Sequence, residues 1–444
     1  MNGTYELATT GADRNAEKRG TLPKQMNCPD AHKYPLSANI MTTLASSQTV
    51  RVGLSFLIVA AFTLVVRPSV PIAVALLVAA GIYIGAYNRE APFGKVFQSG
   101  FLSAGPYVGL FVLASLVAVP TAFDAGNHGI AFIKILLLHL VVIFCFCVGR
   151  LIGPIDVRTL MHWSFCTLAV AAVILVEEQQ WSLIRNAVFS QELVTLHYTW
   201  ILNRSFLLLS LGLAFFLVTA KDLRSHWMVG TSLVLMLAIF AVTESESARL
   251  AIAVSLLVLC MTENIARGLL TLSIAGAIVA MLVGPFVYDL ILKTWETNNL
   301  RGFMEGTIHA RLMVWANFSA LILDSDFLGR GLRSAKLLDR DPSLYPIPYA
   351  FSALHPHNAG LQVTADLGFV GIAWFSLVLW RIRTYVLSLE IFCIRGLIAV
   401  LVAFLAISFV ADGFWQSRWW FAGAILALWV GILVSNPDKP AGYA

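Results

Sequence analysis

Charge is scarce in this 444-residue chain: Asp, Glu, Lys and Arg together make up 12% of it, against 58% hydrophobic residues. A mean hydropathy of +0.79 excludes a water-soluble core as the destination of so much apolar side chain. Cysteine is also sparse. Cys28, Cys145, Cys147, Cys166, Cys260 and Cys393 lie in the N-terminal region or in apolar stretches and match no zinc-ribbon spacing, so neither a disulfide framework nor a metal knuckle is expected. The formal charge of +5 comes from residues dispersed through short connections, without the basic stripe that nucleic acid requires, and nucleic acid is not expected as a partner. No internal repeat or low-complexity tract appears.

What is present is a succession of apolar stretches from Val52 to Val434. Stretches near the ~20 residues that a bilayer core demands fall at 52–66, 69–87, 104–120, 130–149, 159–176, 205–220, 226–243, 249–262, 267–290, 361–380, 394–411 and 419–435. The expected fold is therefore an all-α integral membrane protein of about twelve transmembrane helices. Residues 1–50 read as a polar, flexible cytoplasmic tail without signal-peptide character, 51–435 as the membrane domain, and 436–444 as a second cytoplasmic tail. Short loops rich in Lys and Arg stay on the cytoplasmic side. With both termini inside, the inner loops collect Arg89, Lys95, Arg150, Arg158, Lys221, Arg224, Arg267, Arg381, Arg383 and Arg395.

Two outer segments oppose that bias. One is 177–204, with Arg185 and Arg204; the other is a long loop, 291–360, holding seven Lys and Arg residues. Within the loop, 308–323 reads as an interfacial amphipathic helix rather than a further span, and the Gly-, Pro- and charge-rich stretch after it as irregular structure. Trp315, Trp415, Trp419 and Trp420 read as interfacial aromatics. Gln362 and Asp366, four apart on one helix face, are expected to face the bundle interior, and Gly368 and Gly371 to permit a bend or close packing.

The loop ends on His355-Pro356-His357-Asn358, leading directly into an apolar helix. Here His357, Asn358, nine residues, Gly368, two residues and Gly371 resemble the signature of the O-antigen ligase and polymerase superfamily. The resemblance extends to the many spans and to a single large, late loop, so it covers most of 50–435. It implies a type C glycosyltransferase-like enzyme of the bacterial inner membrane, with its site on the periplasmic face. The implied chemistry is transfer of a glycan from undecaprenyl diphosphate to the lipid A core. Arginines matching those at the outer helix ends of the family are Arg204, Arg249 and Arg311. Asp366 departs from the pattern, since many members carry Glu in this helix.

The residue types suit that task. A departing diphosphate gathers negative charge that guanidinium groups meet with paired hydrogen bonds. Imidazole titrates near neutrality, so a neutral His357 can take the proton of an attacking sugar hydroxyl. Arg204, Arg249 and Arg311 are thus candidates for the diphosphate, His357 for the base, and His355, Asn358, Gln362, Asp366, Gly368 and Gly371 for support. No Asp-x-Asp and no paired His/Asp spacing is read as a metal site, and transfer is expected to proceed without metal or cofactor. The related reaction, polymerisation of O-antigen or exopolysaccharide on a growing polysaccharide acceptor, fits the same motif, and a polysaccharide transporter or flippase is the reading from another class. Membrane lipid is the expected surrounding partner.

Overall fold

The computed structural model describes residues 93–151, 157–180, 197–298, 307–325, 327–334, 356–410, 415 and 417–435. The first two expected spans, 52–66 and 69–87, and both tails lie outside the described residues. Among the described residues the chain is helical throughout, with no strand. In order the helices are α1 (Phe93–Val117), α2 (Ala125–Leu151), α3 (Val157–Gln180), α4 (His197–Asp222), α5 (His226–Val242) and α6 (Glu246–Cys260). They continue with α7 (Glu263–Asn298), α8 (Thr307–Asp324), α9 (Ala359–Leu387), α10 (Ile394–Val410) and α11 (Ser417–Ser435). Each of the other ten expected segments falls on one of these helices. Four stretches, Ala125–Arg150, Leu202–Asp222, Glu263–Ile291 and Ala359–Leu387, are long and apolar enough to cross a membrane, and five shorter apolar helices accompany them.

The central helix is α4, whose apolar stretch is mostly enclosed by α3, α5, α6 and α10. By contrast α2 turns Ile130, Ile133 and Leu137 outward, as a lipid-facing flank does. One end of the bundle is tied by cations on the last carbonyls of helices, groups that have no partner inside their own helix and carry the negative end of its dipole. Lys221 donates to Leu259 O at 2.7 Å, and Arg395 donates to the same carbonyl at 3.1 Å while pairing with Asp222 at 2.5 Å. Arg267 donates to Leu387 O at 2.6 Å, joining the start of α7 to the end of α9. The short-loop cations Lys221, Arg267 and Arg395 therefore gather at one end, opposite the His357 corner.

A second, smaller apolar cluster lies at the His357 end. Val314, Phe318, Leu321 and Ile322 of α8 pack with Leu361 and Ala365 of α9 and with Tyr288 of α7. Here the expectation for 308–323 needs correction. The helix forms, but its apolar face is covered by α7 and α9; among its residues from Arg311 onward only Asp324 is exposed. An interfacial helix lends its apolar face to lipid, whereas this one has spent it on protein.

Candidate functional site

The corner at His357 is built by four local interactions. The Trp315 indole of α8 donates to Pro356 O at 2.7 Å, which fixes the peptide just before His357. His357 itself turns the chain through the left-handed region, at φ 53°, where histidine is found more often than most residues but still at some cost. Asn358 is extended and caps α9, its Oδ1 accepting from Leu361 N at 3.0 Å. Its side chain also hydrogen-bonds the hydroxyl of Tyr288, near the far end of α7. The imidazole, half-buried, is thus carried on a backbone held from α7, α8 and α9 at once.

Beyond the cap, α9 is two helices. Gly368, at φ 64° and ψ −152°, breaks it. Every residue from Ala359 to Gly368 is buried, and outward-facing apolar residues begin at Phe369, which is 55% exposed. The stretch from 369 to 387 is about the length of a bilayer core. His357 accordingly heads a short, protein-enclosed helix that precedes the apolar span, rather than the span itself. That short helix rests on α7 and α10, for a Cβ at Gly360 would meet Met281 at 2.9 Å and the Phe409 ring at 2.7 Å.

At the break the backbone of the loop 327–334 bonds to α9. Phe369 N–H turns from its own helix to Phe327 O at 2.8 Å. The carbonyl this leaves, Ala365 O, accepts Arg330 N–H at 2.7 Å, and Asp366 O accepts Gly331 N–H at 3.0 Å. Three backbone groups at the kink, Phe369 N–H, Ala365 O and Asp366 O, therefore find partners in the loop. The approach is close enough that a Cβ on Gly329, itself at φ 86°, would lie 2.8 Å from Asp366 O. The expected irregular stretch, 329–348, is borne out over 329–334; its remainder, 335–348, lies outside the described residues.

Asp366 bolts this arrangement. Fully buried, its Oδ1 accepts from Ser334 N at 3.1 Å and Ser334 Oγ at 2.5 Å, and its Oδ2 from Arg333 N at 3.2 Å and Trp415 Nε1 at 2.6 Å. It joins α9, the inserted loop and the chain just before α11. Asp366→Asn keeps the shape but turns an amide N–H toward a buried donor on one side. An unsatisfied buried donor costs ~1–3 kcal/mol, so the variant is expected to unfold at lower temperature in detergent, as a fluorescence melt would record. The tryptophans also need correction as interfacial aromatics. Trp415 and Trp419 are buried, Trp415 stacks on Trp374, and Trp315 is half-buried with its N–H committed to Pro356. Their aromatic faces are used in packing, not in a belt at the lipid boundary.

Of the arginines, Arg311 pairs with Glu246 at 2.9 Å, bridging α8 to the first turn of α6. Arg249 lies three residues beyond Glu246 on the same helix face; it donates to Thr243 O at 2.8 Å and sits over the Phe240 ring at 5.6 Å. Arg311 shares a face of α8 with Trp315, one turn on, and through it adjoins Pro356 and His357. Two contacts, Arg311 to Glu246 and Trp315 to Pro356 O, thus tie α6, α8 and the His357 corner together, with Arg249 one turn from Glu246 and Arg311 one turn from Trp315 on the same helices. Arg204 is exposed near the start of α4, a helix packed against α6. Gln362 is buried, and Gly371 lies inside the kink, where a Cβ would meet that of Leu367 at 2.4 Å. His355 falls outside the described residues. Sequence reasoning missed Tyr288 and Glu246; the acidic residues three and five places before Arg249, Glu246 and Glu244, were the only local signal for any of this.

The expectation of metal-free chemistry cannot rest on missing acidic pairs. The long loop contains two Asp-x-Asp spacings, Asp324-Ser325-Asp326 and Asp339-Arg340-Asp341. Asp324 is committed to Arg330 at 2.6 Å, and the other three aspartates lie outside the described residues.

Comparison with known proteins bears on the same stretch. Residues 231–376 match the family model described as O-antigen ligase. Proteins of Rickettsia typhi and Rickettsia prowazekii, each named "Putative polysaccharide ligase", are 25% and 24% identical over 175 residues. Each match covers 36% of this chain and 41% of the relative's length. A Rickettsia bellii protein of the same name is 24% identical over 217 residues, which is 47% of this chain and 51% of that one. Arg204 and Trp415 fall outside the family match, whereas Glu246, Arg249, Tyr288, Arg311 and His357 through Gly371 fall within it. The stretch similar to the O-antigen ligase family, residues 231–376, is thus the one that holds the His357 corner, the Glu246–Arg311 bridge and the broken helix.

Proposed function

We propose that this protein is an O-antigen ligase, a glycosyltransferase that moves a glycan from undecaprenyl diphosphate to the lipid A core on the periplasmic side of the inner membrane. The observation that carries the reading is the contiguity just described: a histidine on a rigid corner, tied through Trp315 to an arginine-bearing helix face, all within the matched stretch. In the proposed reaction the acceptor hydroxyl gives its proton to the His357 imidazole as its oxygen attacks the anomeric carbon. The bond from that carbon to the diphosphate oxygen breaks in the same displacement, with inversion, and the diphosphate leaves with the electron pair. Arg249 and Arg311, with Arg204 as a third candidate, meet the charge that grows on the leaving oxygens. One base opposite one leaving group suffices, with no covalent glycosyl intermediate. About twelve spans, cytoplasmic termini and a periplasmic loop over 291–360 belong to the same proposal.

Reconstitution with carrier-linked glycan and candidate acceptors tests it. Covalent transfer to lipid A core is expected, and it should persist in excess chelator. Transfer only onto another carrier-linked glycan would make the protein a polymerase, and glycan crossing the bilayer without covalent transfer would refute the enzyme reading. Within the same assay, Arg311→Lys and Arg249→Lys are each expected to lower kcat/KM by about tenfold or more although the charge is kept. A lysine ammonium cannot offer two parallel N–H bonds to one phosphate group, and the loss of such a pair is on the order of 1–3 kcal/mol. Wild-type rates in both variants would remove these arginines from the site.

A further inference from the structure

Glu246 has no part in the reaction as proposed, yet it sits at the centre of the arginine cluster. Its Oε2 lies 2.9 Å from Arg311 Nη2, and the exposures of the two side chains are unequal: 25% for Arg311 and 58% for Glu246. The cation is largely sheltered while its partner stands mostly in water. Arg249 is one turn further along α6, on the same face, with one guanidinium nitrogen spent on Thr243 O. On the far side, α8 carries Arg311 to Trp315 and so to Pro356 and His357. An anion on Arg311 is therefore held by the same helix whose Trp315 is bonded to Pro356, next to His357.

The bridge at the opposite end of the bundle is built differently. There Arg395 and Asp222 are 12% and 20% exposed, and Arg395 also donates to Leu259 O at 3.1 Å. That pair is enclosed and structural. The Glu246–Arg311 pair is half open and single-pronged, and an exposed pair of this kind contributes little that a stronger anion could not replace.

We propose that Glu246 is a stand-in for the anionic group of the substrate: it holds the Arg311 guanidinium in position when the site is empty and yields it to a diphosphate when the donor arrives. This rests on the function proposed above and adds a positioning residue that competes with substrate. A diphosphate brings more than one negative charge and enough oxygens to engage both prongs of the fork, so it outcompetes a lone carboxylate. When it does, Glu246 swings into the water that already covers most of it, while Ser245, whose Oγ accepts from Ala248 N at 3.2 Å, keeps the start of α6 capped. The result is an arginine already oriented before binding, with the competing contact setting an upper limit on affinity.

Removing the charge without removing the shape tests this. Purified full-length wild type, Glu246→Gln, Arg311→Lys and the double variant are titrated with inorganic pyrophosphate, with binding followed by tryptophan fluorescence and folding checked by thermal melts. Glu246→Gln is expected to bind pyrophosphate about two- to fivefold more tightly than wild type, the range set by the worth of an exposed ion pair. In the Arg311→Lys background the gain should shrink or vanish. Asp324→Asn, which opens the similarly exposed Arg330–Asp324 pair, should bind as wild type does. With carrier-linked donor, Glu246→Gln should lower KM by a similar factor without raising kcat, a split that a merely structural glutamate would not produce. Unchanged or weaker pyrophosphate binding in a normally folded Glu246→Gln protein overturns the proposal, as does an equal gain in Asp324→Asn or no saturable binding to either protein. The two readings separate cleanly. Pyrophosphate binding that follows this pattern without glycan transfer leaves the stand-in role intact and removes the ligase, whereas transfer with no Glu246→Gln effect removes only the stand-in role.

Discussion

Replacing His357 with alanine is expected to abolish glycan transfer while leaving the amount and melting temperature of the protein close to wild type. A positioned general base contributes typically about 10²–10⁴ in rate, and removing it should take kcat down by that factor. The corner is expected to keep its bonds from Trp315 to Pro356, Leu361 to Asn358 and Tyr288 to Asn358, and the melting temperature checks that the fold is retained. One complication is the left-handed backbone at φ 53°, which alanine adopts less readily than histidine does. His357→Asn resolves it, since asparagine is among the residues most tolerant of that conformation yet cannot serve as a base at neutral pH. Both variants should fail equally in the transfer assay. Full activity in either would remove His357 from the proposed role, and loss in alanine alone would assign the residue to backbone geometry.

Gly368→Ala is expected to be the most damaging substitution to the fold. A Cβ there would lie 2.1 Å from Phe327 O and 2.6 Å from Leu328 C, both backbone atoms with no side-chain freedom to retreat. The conformation, φ 64° and ψ −152°, is one that essentially only glycine occupies. To make room the loop must withdraw from the break, and it would take with it the bonds from Phe369 to Phe327 O, Arg330 to Ala365 O and Gly331 to Asp366 O. Backbone strain of ~1–3 kcal/mol and the exposure of buried polar groups at ~1–3 kcal/mol each then act together. The measurement is the yield of monodisperse protein in detergent and its melting temperature, set against Gly230→Ala, where a Cβ meets nothing within 4 Å. Gly230→Ala should behave as wild type. A Gly368→Ala protein that melts with it would show that the break is not required.

The helices were legible because a bilayer imposes one rule on every segment, enough consecutive apolar residues to cross it, and that rule acts locally. Ten of the twelve expected segments therefore fall on helices among the described residues. The ends of the bundle were legible for a related reason, since Lys221, Arg267 and Arg395 meet the last carbonyls of neighbouring helices and their positions follow from helix ends that hydropathy already marks. His357 and Asn358 were found through a short motif, whereas the ties that hold the corner from Trp315 and Tyr288 were not.

What the sequence could not express was partnership across distance. Gly368 read equally as a bend or as a packing surface. That it is a break filled by the backbone of 327–334 depends on two segments over thirty residues apart meeting, which no local pattern encodes. The same holds for Asp366, whose partners Ser334 and Trp415 lie 32 and 49 residues away, and for Glu246, which is 65 residues from Arg311. Composition and motif alone determined that the chain is a bundle of membrane helices with a histidine at the head of one of them. Only the tertiary structure decided that this helix is broken, that a loop seals the break, and which carboxylate holds the arginine beside the site, because each depends on which buried polar groups must find one another once water is excluded.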